Sequence, residues 1–309
     1  MFSIVFPGQG SQKIGMVKEF YEKYDLAKRI FRDADAILNI PITKIIFEGP
    51  EDKLNLTENT QPAIFLASYC IFEIIKKEFG YDFDKFKYYA GHSLGEYSAL
   101  ACVGSISFED TLKILQKRGK CMQEAVPGGE GSMLVVLGIN SKELDQILNE
   151  NSEKYECFIA NDNSNLQVVV SGLKKDINLL SDDLNKKKIK NLKLNVSAPF
   201  HCKYMKTASE KMAKYINDLK MEELKKPIIS NVTAHETSSS KEIKSLLISQ
   251  IEKKVRWLES VEYMINNGVK NFVEIGPGKV LSGLIKRINK NVNVSSINSD
   301  KDIKLLLND

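Results

Sequence analysis

Several residue types are scarce in this 309-residue chain, and each scarcity excludes something. Five cysteines (Cys70, Cys102, Cys121, Cys157 and Cys202) form no CxxC pair and are odd in number. They point to reduced thiols in a cytoplasmic enzyme and not to a disulfide framework. Only three histidines occur, and none stands at metal-ligand spacing from another, so no metal site is expected. Long apolar runs are missing too. The longest, Met133 to Ile139, falls far short of a membrane span. The opening MFSIVFPGQG has no basic stretch ahead of an apolar one, so it reads as a buried strand entering a glycine turn and not as a signal peptide. There is no internal repeat and no long low-complexity linker.

What is present is ordinary for a soluble globular enzyme: 43% hydrophobic and 27% charged residues. The length suits one large domain, or a large domain with a smaller insert, and a core that needs neither disulfides nor metal. Net charge is mild, +4 from 44 basic and 40 acidic residues. The lysine run Lys186–Lys188 reads as a solvated helix end, and no nucleic-acid motif accompanies it. The basic excess suits an anionic cofactor or an acidic protein partner.

Phe2–Phe6 is a short apolar run ended by Pro7-Gly8, as in a central parallel strand. Gln61–Phe79 carries Ile64, Ala67, Ile71, Ile74 and Ile75 on one helical face. Lys87–Ala90 is a second strand, turned by Gly91–Gly95 into a helix, and Phe108–Gln123 is another helix. After Pro127-Gly128-Gly129 the pattern becomes strand, helix, strand, strand, helix, strand: Met133–Gly138, Lys142–Glu150, Cys157–Ala160, Gln167–Gly172, Lys175–Lys188 and Ile189–Val196. This is the ferredoxin-like βαββαβ plan. Beyond Ser197 the α/β alternation resumes. A helix starts near Tyr204, strands fall at Pro227–Asn231 and Asn271–Ile275, and Gly276-Pro277-Gly278 opens a further helix.

Gly91-His92-Ser93-Leu94-Gly95 matches G-x-S-x-G between a strand and a helix, the context in which a serine is forced into a tight exposed bend. Side chains at the two glycines would meet neighbouring backbone. The helix start behind Ser93 aims N–H groups at any oxyanion formed there. A second glycine turn, Pro7–Gln12, follows the first strand, and ligands of open α/β sheets bind at strand carboxyl ends. The expected fold is α/β: an α/β-hydrolase-like large domain of residues 1–127 and 197–309, with residues 128–196 as an inserted ferredoxin-like subdomain.

Six ordered blocks stand out: FPGQGSQ (Phe6–Gln12), GHSLGEYSAL (Gly91–Leu100), RGKCMQEAVP (Arg118–Pro127), NDNSNLQVVVSG (Asn161–Gly172), SAPFHC (Ser197–Cys202) and EIGPGKVLSGL (Glu274–Leu284). Together they resemble the malonyl-CoA:acyl-carrier-protein transacylases of bacterial type II fatty-acid synthesis. The resemblance runs nearly end to end. It implies Ser93 as nucleophile and His201 as its general base. His92, adjacent to Ser93, is the competing histidine and is assigned a supporting position. In place of a triad carboxylate, an amide or main-chain carbonyl near Gln250 is implied to accept the imidazole N–H. By spacing alone, Gln250 on an apolar helix face is either a satisfied core amide or an active-site group.

Arg118 stands three residues after Leu115 and four before Met122, on an otherwise apolar helix face. It is either one half of a structural ion pair or, as the resemblance implies, a fork for the malonyl carboxylate. Phe200 is implied as a wall against a 2-methyl substituent, or it anchors its loop. Asn161 resembles a pocket residue. The main-chain N–H groups of Gln9 and Leu94 are implied as the oxyanion hole. Asn165-Leu166 departs from the Pro-Gly often found at that place in the family. The implied reaction is ping-pong malonyl transfer from malonyl-CoA to the phosphopantetheine thiol of acyl carrier protein, with no bound cofactor, by a cytoplasmic monomer. A serine esterase or thioesterase, a non-catalytic carrier-binding module and a discrete polyketide-pathway acyltransferase are the alternatives.

Overall fold

The computed structural model describes residues 1–196 and 198–308. β1 (Phe2–Phe6) is buried from Ser3 onward. Ile4 and Phe6 enter one hydrophobic cluster and Val5 another, so both faces of the strand are covered. Four helices follow, α1 (Lys18–Lys23), α2 (Asp25–Leu38), α3 (Ile42–Glu48) and α4 (Glu51–Asn55). Sequence reasoning passed over this segment, although α2 buries Leu26, Ala27, Ile30, Phe31, Ala34 and Leu38 at helical spacing. α5 (Thr57–Lys77) starts a turn earlier than expected and is buried along most of its length. β2 (Phe86–Gly91), α6 (Gly95–Cys102) and α7 (Phe108–Gln123) come next. The α7 bounds are those read from sequence, and Ser107 caps the helix by accepting the Asp110 N–H.

The next six elements keep the expected order: β3 (Gly131–Leu137), α8 (Ser141–Glu150), β4 (Cys157–Ser164), β5 (Gln167–Leu173), α9 (Lys174–Lys186) and β6 (Lys190–Lys193). They form an antiparallel sheet in the order β4-β5-β3-β6. β4 outruns the expected Cys157–Ala160, because register shifts near Asn161 and Asn163 keep its polar end paired with β5. β6 is shorter than the expected Ile189–Val196, since only four residues pair with β3. Ser197, the expected point of return to the large domain, lies outside the described residues, as does Asp309.

A short 3₁₀ turn (Lys203–Met205) leads into α10 (Lys206–Asp218). Then come β7 (Ile228–Ile229), β8 (Glu236–Thr237), α11 (Ser240–Glu252), α12 (Trp257–Asn266), β9 (Asn271–Ile275), α13 (Val280–Ile288), β10 (Asn293–Ile297) and α14 (Asp300–Asn308). The strand expected at Pro227–Asn231 contracts to two paired residues that turn back into β8. The large sheet runs β10-β9-β1-β2-β7-β8, parallel except for that last pair. α2, α5, α6, α7, α10 and α11 pack on one face, α12 and α13 on the other.

This topology positions the site. β1 and β2 are parallel neighbours, with Phe6 opposite Gly91. The glycine turns that follow them therefore leave the sheet side by side, tied by a hydrogen bond from the His92 N–H to the Phe6 carbonyl.

Candidate active site

The turn after β2 works only with glycine at its two ends. A Cβ on Gly91 would lie 2.0 Å from the Gly95 carbonyl, and one on Gly95 would lie 2.3 Å from the Phe6 carbonyl oxygen. Between them Ser93 adopts φ +54°. Its N–H donates to Asn231 Oδ1 at 2.7 Å, and Asn231 Nδ2 donates to the Gly91 carbonyl at 2.7 Å. Among the described residues the N–H groups of Leu94 and Gln9 have no acceptor. Both residues line a cavity of about 440 Å³.

Ser93 Oγ lies 2.8 Å from His201 Nε2, and His201 Nδ1 lies 2.8 Å from the Gln250 main-chain oxygen. A carbonyl can only accept, so Nδ1 carries the proton and Nε2 is free to accept from the serine. Burial, and then the nearby Arg118 charge, lower the His201 pKa to about 3, which keeps the ring neutral. Its partner is a carbonyl where a hydrolase triad would place a carboxylate.

Arg118, on α7, is fully buried. Its Nη1 donates to Gln61 Oε1 at 2.8 Å, and its Nη2 to Gln250 Oε1 at 2.8 Å and to Ser93 Oγ at 3.1 Å. The guanidinium lies over the Tyr97 ring, and its Nε has no partner among the described residues. No carboxylate touches it there, so the structural ion pair is absent. Its bonded acceptors among the described residues are all neutral, although a buried cation is costly to desolvate.

Gln9, His92, Ser93, Leu94, Arg118, Asn161, Phe200 and His201 all line the one cavity, between the large sheet's helices and the small sheet. Gln250, implied as the acceptor of the imidazole N–H, is not on its wall. It lies beneath, fully buried, bonded to His201 through its main chain and to Arg118 through its side chain. His92, expected to stand back, has its ring at the wall, with Nε2 at 2.9 Å from Asn163 Oδ1 and 3.3 Å from Asn161 Nδ2.

Sequence reasoning missed Gln61, Glu96, Asn163 and Asn231. Glu96 stands inside the GHSLGE block, and its carboxyl on a buried helix was the available signal. Nothing local marked Asn231. Among the described residues, no group of three His, Cys, Asp or Glu could hold a metal, and no helix is long and apolar enough to cross a membrane.

Residues 3–301 match the model of the acyl transferase domain family. The chain is 41% identical to the malonyl CoA-acyl carrier protein transacylase of Bacillus subtilis (strain 168) over 99% of this chain and 96% of the relative. It resembles the crystal structure of the acyl-carrier-protein-S-malonyltransferase of Bartonella henselae, with TM-score 0.96, 39% identity and 99% and 98% coverage. A malonyl-transacylase solved in complex with its type II PKS acyl-carrier protein gives TM-score 0.95 at 36% identity, covering 99% of each chain. The chain therefore belongs to the acyl transferase domain family, in its malonyl CoA-acyl carrier protein transacylase branch.

Proposed function

We propose that this chain moves a malonyl group from malonyl-CoA to the phosphopantetheine thiol of an acyl carrier protein through an ester on Ser93. The observation that carries this reading is the buried Arg118 fork, unpaired with any carboxylate among the described residues and 3.1 Å from Ser93 Oγ. The malonyl carboxylate takes the guanidinium's free donor capacity, with the Gln250 bond kept, and sets the thioester carbonyl over the serine. His201 Nε2 removes the Ser93 proton as Oγ attacks that carbonyl. The Gln9 and Leu94 N–H groups hold the oxyanion. His201 then gives the proton to the departing coenzyme A sulfur, leaving malonyl-Ser93 and a free thiol. The carrier's thiol reverses each step: it loses its proton to His201, attacks the ester carbonyl and expels Ser93 Oγ, which regains a proton.

Acyl transfer between two thiols involves no oxidation or reduction, so we assign no bound redox cofactor. Phe200 closes the pocket beside His201, and Asn161 on the small sheet meets His92 of the turn after β2 across its wall. We read residues 1–127 and 197–309 as an α/β-hydrolase-like domain and 128–196 as a ferredoxin-like subdomain. The β4-β5-β3-β6 antiparallel order supports the second assignment. The enzyme works as a cytoplasmic monomer on fatty-acid synthesis. The relative solved with a polyketide carrier makes a polyketide acceptor the second reading.

Intact mass after incubation with malonyl-CoA or acetyl-CoA tests this. Wild type should gain a malonyl adduct that added carrier removes, and Ser93→Ala should gain none. Arg118→Ala should lose malonyl loading by about 10²- to 10⁴-fold, the scale of two charge-assisted hydrogen bonds. Free malonate without an adduct would make the protein a hydrolase. Running a fatty-acid carrier against a polyketide carrier separates the two acceptors.

A further inference from the structure

Behind the reacting atoms one buried carboxyl group governs two amides. Glu96, the second residue of α6, is 1% exposed and does not reach the cavity wall. Its Oε2 accepts the Asn231 main-chain N–H at 3.1 Å and Gln250 Nε2–H at 2.7 Å. Gln250 Nε2 also donates to the Ser93 carbonyl at 3.0 Å, while Gln250 Oε1 accepts from Arg118 at 2.8 Å. The amide is therefore held between a carboxyl oxygen that accepts and a guanidinium that can only donate. Turned end for end, it would set N–H against N–H at Arg118 and oxygen against oxygen at Glu96.

We propose that Glu96 is a positioning residue for acyl-group selection: by fixing the Gln250 amide it holds the Arg118 fork at the angle at which the fork meets the substrate carboxylate. This rests on Arg118 being the carboxylate clamp. One oxygen bears both bonds, so Oε2 accepts whether or not the other oxygen carries a proton. Burial raises the Glu96 pKa to about 7, so both forms occur near neutrality. When ionised, Glu96 supplies a negative charge one amide away from a guanidinium that no carboxylate of the described residues touches. Ser93 depends on Glu96 less directly, because its N–H is held by Asn231 Oδ1 and its turn by glycine packing.

The test is the ratio of malonyl to acetyl loading rates, read by intact mass from malonyl-CoA and acetyl-CoA in single turnovers. Glu96→Leu should lower that ratio about tenfold or more, the scale of one mis-set hydrogen bond to a charged group. A role confined to packing would lower both rates together. Glu96→Gln should keep the ratio within about threefold, because two facing donors select its amide oxygen. An unchanged ratio in Glu96→Leu overturns the proposal, and so does an equal loss in Glu96→Gln. If Glu96→Leu does not fold, Gln250→Met carries the test: the main-chain carbonyl for His201 stays and the amide goes. The same loss of ratio is then expected, and an unchanged ratio refutes it. Arg118→Ala run alongside separates the two readings. Malonyl preference surviving in Arg118→Ala sinks the clamp itself, whereas preference lost there but kept in the other variants sinks only the role of Glu96.

Discussion

Ser93 and His201 both hold positive φ, +54° and +59°, a region that costs a residue with a Cβ of order 1–3 kcal/mol. Glycine would relieve that cost, and alanine would not. Ser93→Gly is therefore expected to melt about 1–3 °C above Ser93→Ala, although neither forms an adduct. Equal melting temperatures would show that the turn carries no such strain. His201 supplies a second expectation. Its pKa is depressed in the fold, so below the ordinary histidine value of about 6.5 the unfolded chain binds a proton that the folded one refuses. Stability should thus fall as pH drops from about 6.5 towards 3, and His201→Gln should fall less steeply over that window in urea titrations. The same shift keeps the base unprotonated in acid. In Glu96→Gln, which removes the other buried group that titrates near neutrality, single-turnover acylation by malonyl-CoA should show no inflection near 6.5.

At the scale of elements, the contact of α5 with α7 sets where Arg118 stands. A Cβ on Gly119 would lie 2.4 Å from the Thr57 carbonyl oxygen, and the Arg118–Gln61 bond spans the same two helices. Gly119→Ala should force them apart, costing about 1–3 kcal/mol of stability and lowering malonyl loading more than acetyl loading. Thermal melts with the loading assay check both. Ser93 was legible because strand, glycine turn and helix are consecutive, and α7 because its apolar spacing is unbroken. Arg118 stood out as a cation on that apolar face, but only packing could reveal that no acid meets it. Asn231 and Gln61 escaped notice because each reaches the site from an element 138 or 57 residues distant from its partner. β4 was cut short because its NDNS end is polar, and α1, α3 and α4 are short enough that their periodicity is weak, whereas the apolar face of α2 was legible and was passed over.

For the whole molecule, the cavity needs both sheets, and the large sheet needs its ends. Every side chain assigned to catalysis or binding precedes residue 251. Yet β1, whose turn carries Gln9, lies between β2 and β9. A chain cut after Asn267 keeps Ser93, His201, Arg118 and Gln250, and is still expected to form no malonyl adduct by intact mass. An adduct on that fragment would show that the site stands without β9. The central place of β1 has a further consequence during synthesis. The strand leaves the ribosome long before β9 exists, so one edge of FSIVF has no neighbour while most of the polypeptide is still being made. Sheet edges of this kind invite pairing with other nascent chains, and the cell must shield this one until translation is nearly complete.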